Sequence, residues 1–101
     1  MSIKVREKDV EGYLVQALER IGIRCLKFDP SNRIGMPDRI VLLPGGKVIW
    51  VELKTDNGKV KTIQELRHRE LEGIGHRVEV IWNKEDVDRL IGEIEEELQS
   101  C

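Results

Sequence analysis

The chain has 101 residues and a mass of 11.7 kDa; 40% of its residues are hydrophobic, 36% are charged and its net charge is -2. That length leaves room for one domain, residues 1–101, and no second; no run approaches the roughly 20 apolar residues of a membrane-spanning helix. Two cysteines, Cys25 and Cys101, exclude a disulfide-rich scaffold and a zinc site built from four thiolates. The opening MSIKVREKD has no apolar h-region, so a signal peptide is not expected and the location expected is cytoplasmic, host cytosol if the chain is of viral origin.

The small net charge hides an asymmetry. Residues 1–84 carry 16 basic and 12 acidic side chains, whereas residues 85–101 carry Arg89 against Glu85, Asp86, Asp88, Glu93, Glu95, Glu96 and Glu97. A basic body with an acidic tail can still meet a polyanion, because binding depends on where charge sits locally.

Along the chain, Val10, Tyr13, Leu14, Ala17, Leu18 and Ile21 form one apolar stripe at helical spacing, predicting a helix over 7–21 that Gly22 ends. Ile23–Phe28 reads as a short strand, and 29–37 as a loop by its Asp, Pro, Ser, Asn and Gly content. Asp38–Leu43 and Lys47–Lys54 are rich in β-branched residues and are separated by Pro44-Gly45-Gly46, so they predict a hairpin. Alternation puts Ile49, Val51 and Leu53 on one face of the second strand and Trp50, Glu52 and Lys54 on the other. After a polar loop, Thr62 with Glu65 reads as a capping box opening a helix over 62–74. Arg77–Trp82 predicts a fourth strand, and Asn83 with Asp86 caps an acidic C-terminal helix over about 84–98. The order α-β-β-β-α-β-α predicts an α/β fold: a small mixed sheet with a central hairpin, flanked by helices.

Several chemistries are missing. There is no phosphate-cradling Gly-Lys-Ser/Thr loop, no GxGxxG and no His-Glu-x-x-His pair. The three serines lie on no nucleophile elbow. His68 and His76 read as surface residues and Cys25 as a small core residue.

One constellation remains. A hairpin closed through 44–46 brings Asp38, at the start of one strand, beside Glu52 and Lys54, at the end of the next. Neighbouring strands lie roughly 4.8 Å apart, and two carboxylates so close repel. A hard divalent cation relieves this, because Mg2+ takes oxygen ligands and keeps several waters. The Leu53 carbonyl offers a third oxygen, and Lys54, on the Glu52 face, can hold or deprotonate a metal-bound water.

The string Gly35-Met36-Pro37-Asp38-Arg39-Ile40-Val41, then Pro44-Gly45-Gly46, then Val51-Glu52-Leu53-Lys54 resembles the virus-type replication-repair nuclease (VRR-NUC) domain of the PD-(D/E)XK nuclease superfamily. The resemblance runs from near residue 8 to about residue 90. It implies a restriction-endonuclease-like core and Mg2+-dependent hydrolysis of DNA phosphodiesters, with Mn2+ substituting, to leave a 5′-phosphate and a 3′-hydroxyl. Asp38 and Glu52 match the metal-binding carboxylates, Lys54 the catalytic lysine, and Gln64 a glutamine that orients Lys54 or contacts DNA. A glutamate on the first helix is also implied; Glu11 is the foremost candidate, with Glu7 and then Asp9 as rivals.

Basic residues bordering the site, Arg33, Arg39, Lys59 and Lys61, are the expected phosphate contacts, with Ser31, Asn32 and Arg33 placed to follow backbone shape. Too few aromatics are present for a single-strand stacking platform, so duplex or branched DNA is the expected substrate. Analogy with junction resolvases implies a homodimer acting on Holliday-junction-like DNA in replication, recombination or repair. The alternatives are a flap or nicking nuclease of the same superfamily, a non-catalytic DNA-binding subunit on the same fold, and an interaction module docking through its acidic last helix.

Overall fold

The computed structural model describes residues 6–29, 31, 33–55 and 58–100. Helix α1 spans Glu7–Arg20, and strands β1 (Arg24–Lys27), β2 (Arg39–Leu42) and β3 (Val48–Leu53) follow. Helix α2 (Thr62–Gly73), strand β4 (Arg77–Ile81) and helix α3 (Lys84–Gln99) complete the order expected from the sequence. The four strands form one mixed sheet in the order β1-β2-β3-β4. The β1/β2 and β2/β3 pairs are antiparallel, and β4 lies parallel to β3 because α2 crosses over between them.

The β2–β3 connection shows how the sequence sets the register. Pro44–Gly46 makes one tight turn in which Gly45 and Gly46 have φ of 82° and 77°, a backbone region open to glycine. The Leu43 N–H donates to the Lys47 carbonyl at 2.9 Å, closing the turn. Pairing then runs Leu42↔Val48 to Arg39↔Val51, and one further step would set Asp38 opposite Glu52. The site geometry therefore follows from the length of a three-residue turn.

Alternation along β3 divides the molecule into two layers. Ile49, Val51 and Leu53 face a core completed by Val10, Leu14 and Leu18 of α1, Val41, Ile81, and Val87, Leu90 and Ile94 of α3. Tyr13 Oη donates to Asp88 Oδ1 at 2.6 Å, tying α1 to α3 above that core. Trp50 and Glu52 face the opposite way, where α2 packs against β4. Trp50 sits edge-on between Phe28, at 5.6 Å, and His76, at 6.2 Å between ring centroids.

The caps are met in part. Asn83 Oδ1 accepts from Asp86 N at 2.8 Å, as expected. At α2 the cap lies one residue earlier than the Thr62–Glu65 reading. Gln64 Oε1 accepts from Lys61 N at 2.8 Å, and Thr62 is the first helical residue. Glutamine supplies the same acceptor as glutamate at this position, so either frame satisfies an orphan amide.

The loop before β2 is anchored to α2. Arg67 Nε donates to the Ile34 carbonyl at 2.9 Å. Gly35 has φ of 87°, and a Cβ there would lie 2.8 Å from Ile63 Cγ1 and 2.9 Å from the Ile63 carbonyl oxygen. Gly35→Ala is therefore expected to destabilise the fold by about 1–3 kcal/mol, read as a lower urea midpoint with an unchanged slope; an unchanged midpoint would mean the loop is free to move off α2.

Candidate active site

Asp38 closes the loop 33–38 and faces the end of β3. Its Oδ2 accepts from the Leu53 N–H at 2.8 Å, so the first amide beyond Glu52 orients this carboxylate. The Leu53 side chain is buried in the α1/α3 core, which leaves the residue's backbone alone to serve the site. Glu52 points to the α2 side and is 1% exposed. Its Oε2 accepts from Gln64 Nε2 at 3.3 Å, and its Oε1 lies 3.3 Å from His68 Nε2.

The charges at this end of the sheet are out of balance. Burial first, and the Asp38 carboxyl within hydrogen-bonding reach second, push Glu52 up to about 8, while the Lys54 ammonium opposes the shift. Glu7, in the first turn of α1, belongs to the same group of charges. Partial desolvation and then the Asp38 carboxylate raise its pKa, again against Lys54. Lys54 thus acts electrostatically on both acids, and its backbone N–H is held by the Ile81 carbonyl at 2.9 Å, which fixes the root of its side chain. Three acids, Glu7, Asp38 and Glu52, share one ammonium, and the burial of Glu52 makes its ionised form costly.

The oxygen donors of Asp38 and Glu52 suit a hard divalent ion. Among the described residues no three His, Cys, Asp or Glu side chains are gathered tightly enough to cage a metal alone. Two carboxylates with water completing the shell is the arrangement Mg2+ commonly takes, so the donor set fits such an ion.

The first helix separates its acids. Glu11 Oε2 lies 2.8 Å from Arg39 Nε, with the two side chains 23% and 18% exposed. Arg39 Nη1 also donates to the Cys25 carbonyl at 3.3 Å. Arg39 is thereby tied to α1 and β1 rather than standing ready for a phosphate, and Glu11 is its counter-charge. Glu7 sits one turn before Glu11, and it is Glu7 whose charge is coupled to Asp38 and Lys54. Asp9 instead accepts from Arg6 at the cap of α1.

The other expected contacts divide similarly. Arg33 is exposed and reaches Glu70 Oε2 at 3.4 Å. Ser31 gives both its N–H and its hydroxyl to Asp29 Oδ1, at 2.9 and 2.8 Å, so its hydroxyl is committed locally. Lys59 and Lys61 are exposed beside the start of α2 and enter no ion pair among the described residues. Asn32 lies outside the described residues.

His68 is a correction to the sequence reading. It is 9% exposed rather than on the surface, and it touches Glu52. The available signal was its spacing: Gln64 and His68 are four apart on α2 and share a face. Cys25 packs against the core as expected, and burial raises its thiol to about 11.

No family model matches the chain. The chain is 36% identical over 87 residues to "Putative nuclease p44" of Acyrthosiphon pisum secondary endosymbiont phage 1, a match covering 86% of this chain and 92% of that protein. A solved structure titled "VRR_NUC domain" superposes with a TM-score of 0.77 at 32% identity, covering 85% of this chain and 94% of its own. A second, titled "VRR_NUC domain protein", gives a TM-score of 0.74 at 17% identity over 91% of this chain and 89% of its own, a likeness of fold. The superposition and identity above 30% over most of both chains agree, and the protein belongs to the VRR-NUC nuclease family.

Proposed function

We propose that this nuclease hydrolyses phosphodiester bonds in duplex or branched DNA with a divalent metal ion, Mg2+ or Mn2+, held by Asp38 and Glu52. The observation that carries this reading is Glu52 itself: a carboxyl 1% exposed, opposite a second carboxylate, with Lys54 facing it. A bound divalent ion supplies charge neutralisation at the scissile phosphate and acidifies a water. The protein's own groups do the rest. The Leu53 amide orients Asp38, and the Leu53 carbonyl is available as a further oxygen ligand. Gln64 orients Glu52 rather than Lys54. Lys54 holds the attacking water in line and moves its proton, leaving a 5′-phosphate and a 3′-hydroxyl. Lys59 and Lys61 attract the DNA backbone, and Arg33 joins them by exchanging Glu70 for a phosphate.

The first-helix acid of this mechanism is Glu7 rather than Glu11. Glu7→Gln is expected to weaken Mn2+ affinity and cleavage by about 10- to 100-fold, as loss of an outer-shell partner does. Glu11→Gln leaves Arg39 short of its counter-charge and is expected to cost about 1–3 kcal/mol of stability with metal affinity unchanged. Calorimetric Mn2+ titration of the two variants separates them, and a reversed order would return the role to Glu11.

The enzyme is proposed to act in the cytosol, in replication, recombination or repair, as a homodimer on Holliday-junction-like DNA. One chain carries one such site, and paired cuts across a junction need two. Leu26 and Leu42, 44% and 39% exposed on the face of β1 and β2 opposite the α1/α3 core, offer apolar surface for a second copy. The test is cleavage of junction, flap and linear DNA with Mg2+ or Mn2+, beside light scattering. No cleavage of any of them would favour a non-catalytic DNA-binding subunit, faster cutting of flaps would favour the flap-nuclease reading, and a species of only 11.7 kDa would remove the dimer.

A further inference from the structure

We propose that His68 is a positioning residue, which fixes the Glu52 carboxylate in the orientation needed to bind the metal. The inference rests on the metal-binding role proposed above for Glu52.

A buried glutamate has three rotatable side-chain bonds and two equivalent oxygens, so burial alone does not decide which way its lone pairs face. In this protein each oxygen has its own partner on one helix. Gln64 Nε2 reaches Oε2 and His68 Nε2 reaches Oε1, both at 3.3 Å. The two partners are four residues apart on α2, so one helix face holds both oxygens. The Gln64 amide is itself oriented, because its Oε1 accepts from Lys61 N at 2.8 Å and its NH2 is left for Glu52.

The ring is equally constrained. His68 is 9% exposed, one turn before the buried Leu71. A metal-bound carboxylate is ionised and only accepts hydrogen bonds, so the imidazole must present Nε2–H to it. That bond uses a lone pair on the α2 side and leaves the Asp38 side of the carboxylate for the ion. The helix that carries these partners is also pinned to the loop before Asp38, by Arg67 on the Ile34 carbonyl and by Gly35 against Ile63. One rigid element therefore sets the relation between the two carboxylates, and His68 is its deepest polar contact.

The experiment measures metal binding without turnover. Mn2+ is titrated calorimetrically into wild type, His68→Leu and His68→Gln, with the melting temperature of each recorded. The leucine variant fills the site without a donor, whereas glutamine restores an N–H. The expected result is an affinity about 10- to 100-fold weaker for His68→Leu, with recovery in His68→Gln to within about threefold of wild type. At saturating Mn2+ the leucine variant should also regain most of its cleavage rate, because the loss lies in ion binding. Folded His68→Leu with wild-type affinity would overturn the role of His68 and leave the metal reading standing. Wild type that binds no Mn2+ or Mg2+ would overturn the metal reading itself. A measurement on the unaltered chain covers a leucine variant that fails to fold: long-range proton–nitrogen spectra with Mg2+ should show the His68 proton on Nε2. A proton on Nδ1 alone would overturn the inference.

Discussion

Lys54→Ala is expected to lower the cleavage rate by about two to four orders of magnitude, the range typical of losing a positioned proton-transfer group. DNA affinity, measured with Ca2+ to prevent turnover, should stay near that of wild type, because the proposed backbone contacts, Lys59 and Lys61, are unchanged. The argument is electrostatic. Lys54 is the cation that acts on both Glu52 and Glu7, and it opposes the upward shift of each. Removing it withdraws the group proposed to handle the water and also leaves the two acids more strongly protonated. The variant should therefore require a higher pH or more metal to reach its reduced maximum. Wild-type turnover in Lys54→Ala would remove the lysine from the mechanism, and a collapse of DNA binding would move it to substrate recognition.

The second large effect appears without DNA. Metal-free protein should lose stability between about pH 6.5 and 8, and Glu52→Gln should not. The sign follows from proton counting. Glu52 has an ordinary pKa of 4.5 when unfolded and is pushed up to about 8 in the fold, by burial first and Asp38 second. Between those values the folded state holds more protons than the unfolded state, so stability falls as pH rises, until the folded carboxyl has ionised. His68 acts in the opposite direction. Burial lowers its pKa from 6.5, so its contribution rises with pH only below about 6.5. Cys25, raised from 9.0 to about 11, acts only at more alkaline pH. Glu7 is raised in the same direction but without the large shift of the buried group, so Glu52 is left as the principal shifted group between pH 6.5 and 8. The limiting slope of about 1.4 kcal/mol per pH unit gives a loss of about 2 kcal/mol across the window, or on the order of 10 °C in melting temperature. Mg2+ should reverse that loss in wild type, since a ligand of the folded state stabilises it, and should do little for Glu52→Gln. A flat metal-free melting curve in wild type would show that Glu52 is already ionised and solvated.

The two expectations share one origin, a strand that alternates as the sequence requires but places an acid where its neighbours are apolar. Val48, Trp50 and Glu52 occupy one face of β3, and only the last carries charge. Gln64 and His68 from α2 replace some of the water that Glu52 loses. A buried acid held by two neutral side chains gains stability when a cation arrives, whereas its removal benefits the metal-free fold.

Much of this was legible in the residues themselves. Strand alternation in Ile49–Leu53, helical spacing in Val10–Leu18 and Val87–Ile94, and the Pro44-Gly45-Gly46 turn are local patterns, and local patterns fix elements, their order and the hairpin register. Those alone bring Asp38 opposite Glu52. What remained open depended on side chains that share a periodicity. Glu7 and Glu11 lie one turn apart on the same stripe, so spacing cannot separate them; Arg39 does, by crossing from β2 to pair with Glu11. Arg39 borders the motif in sequence yet belongs to the α1 side of the sheet, because its neighbour Asp38 and its own side chain alternate. Spacing puts His68 on the Gln64 face of α2, but that this face is buried depends on how α2 docks against the sheet. The sequence alone thus determined the elements and the hairpin that opposes two acids, because backbone register is a matter of neighbours. The tertiary structure alone decided that Arg39 pairs with Glu11 and that Gln64 and His68 meet Glu52, because those contacts join residues distant along the chain and depend on how helices pack against the sheet.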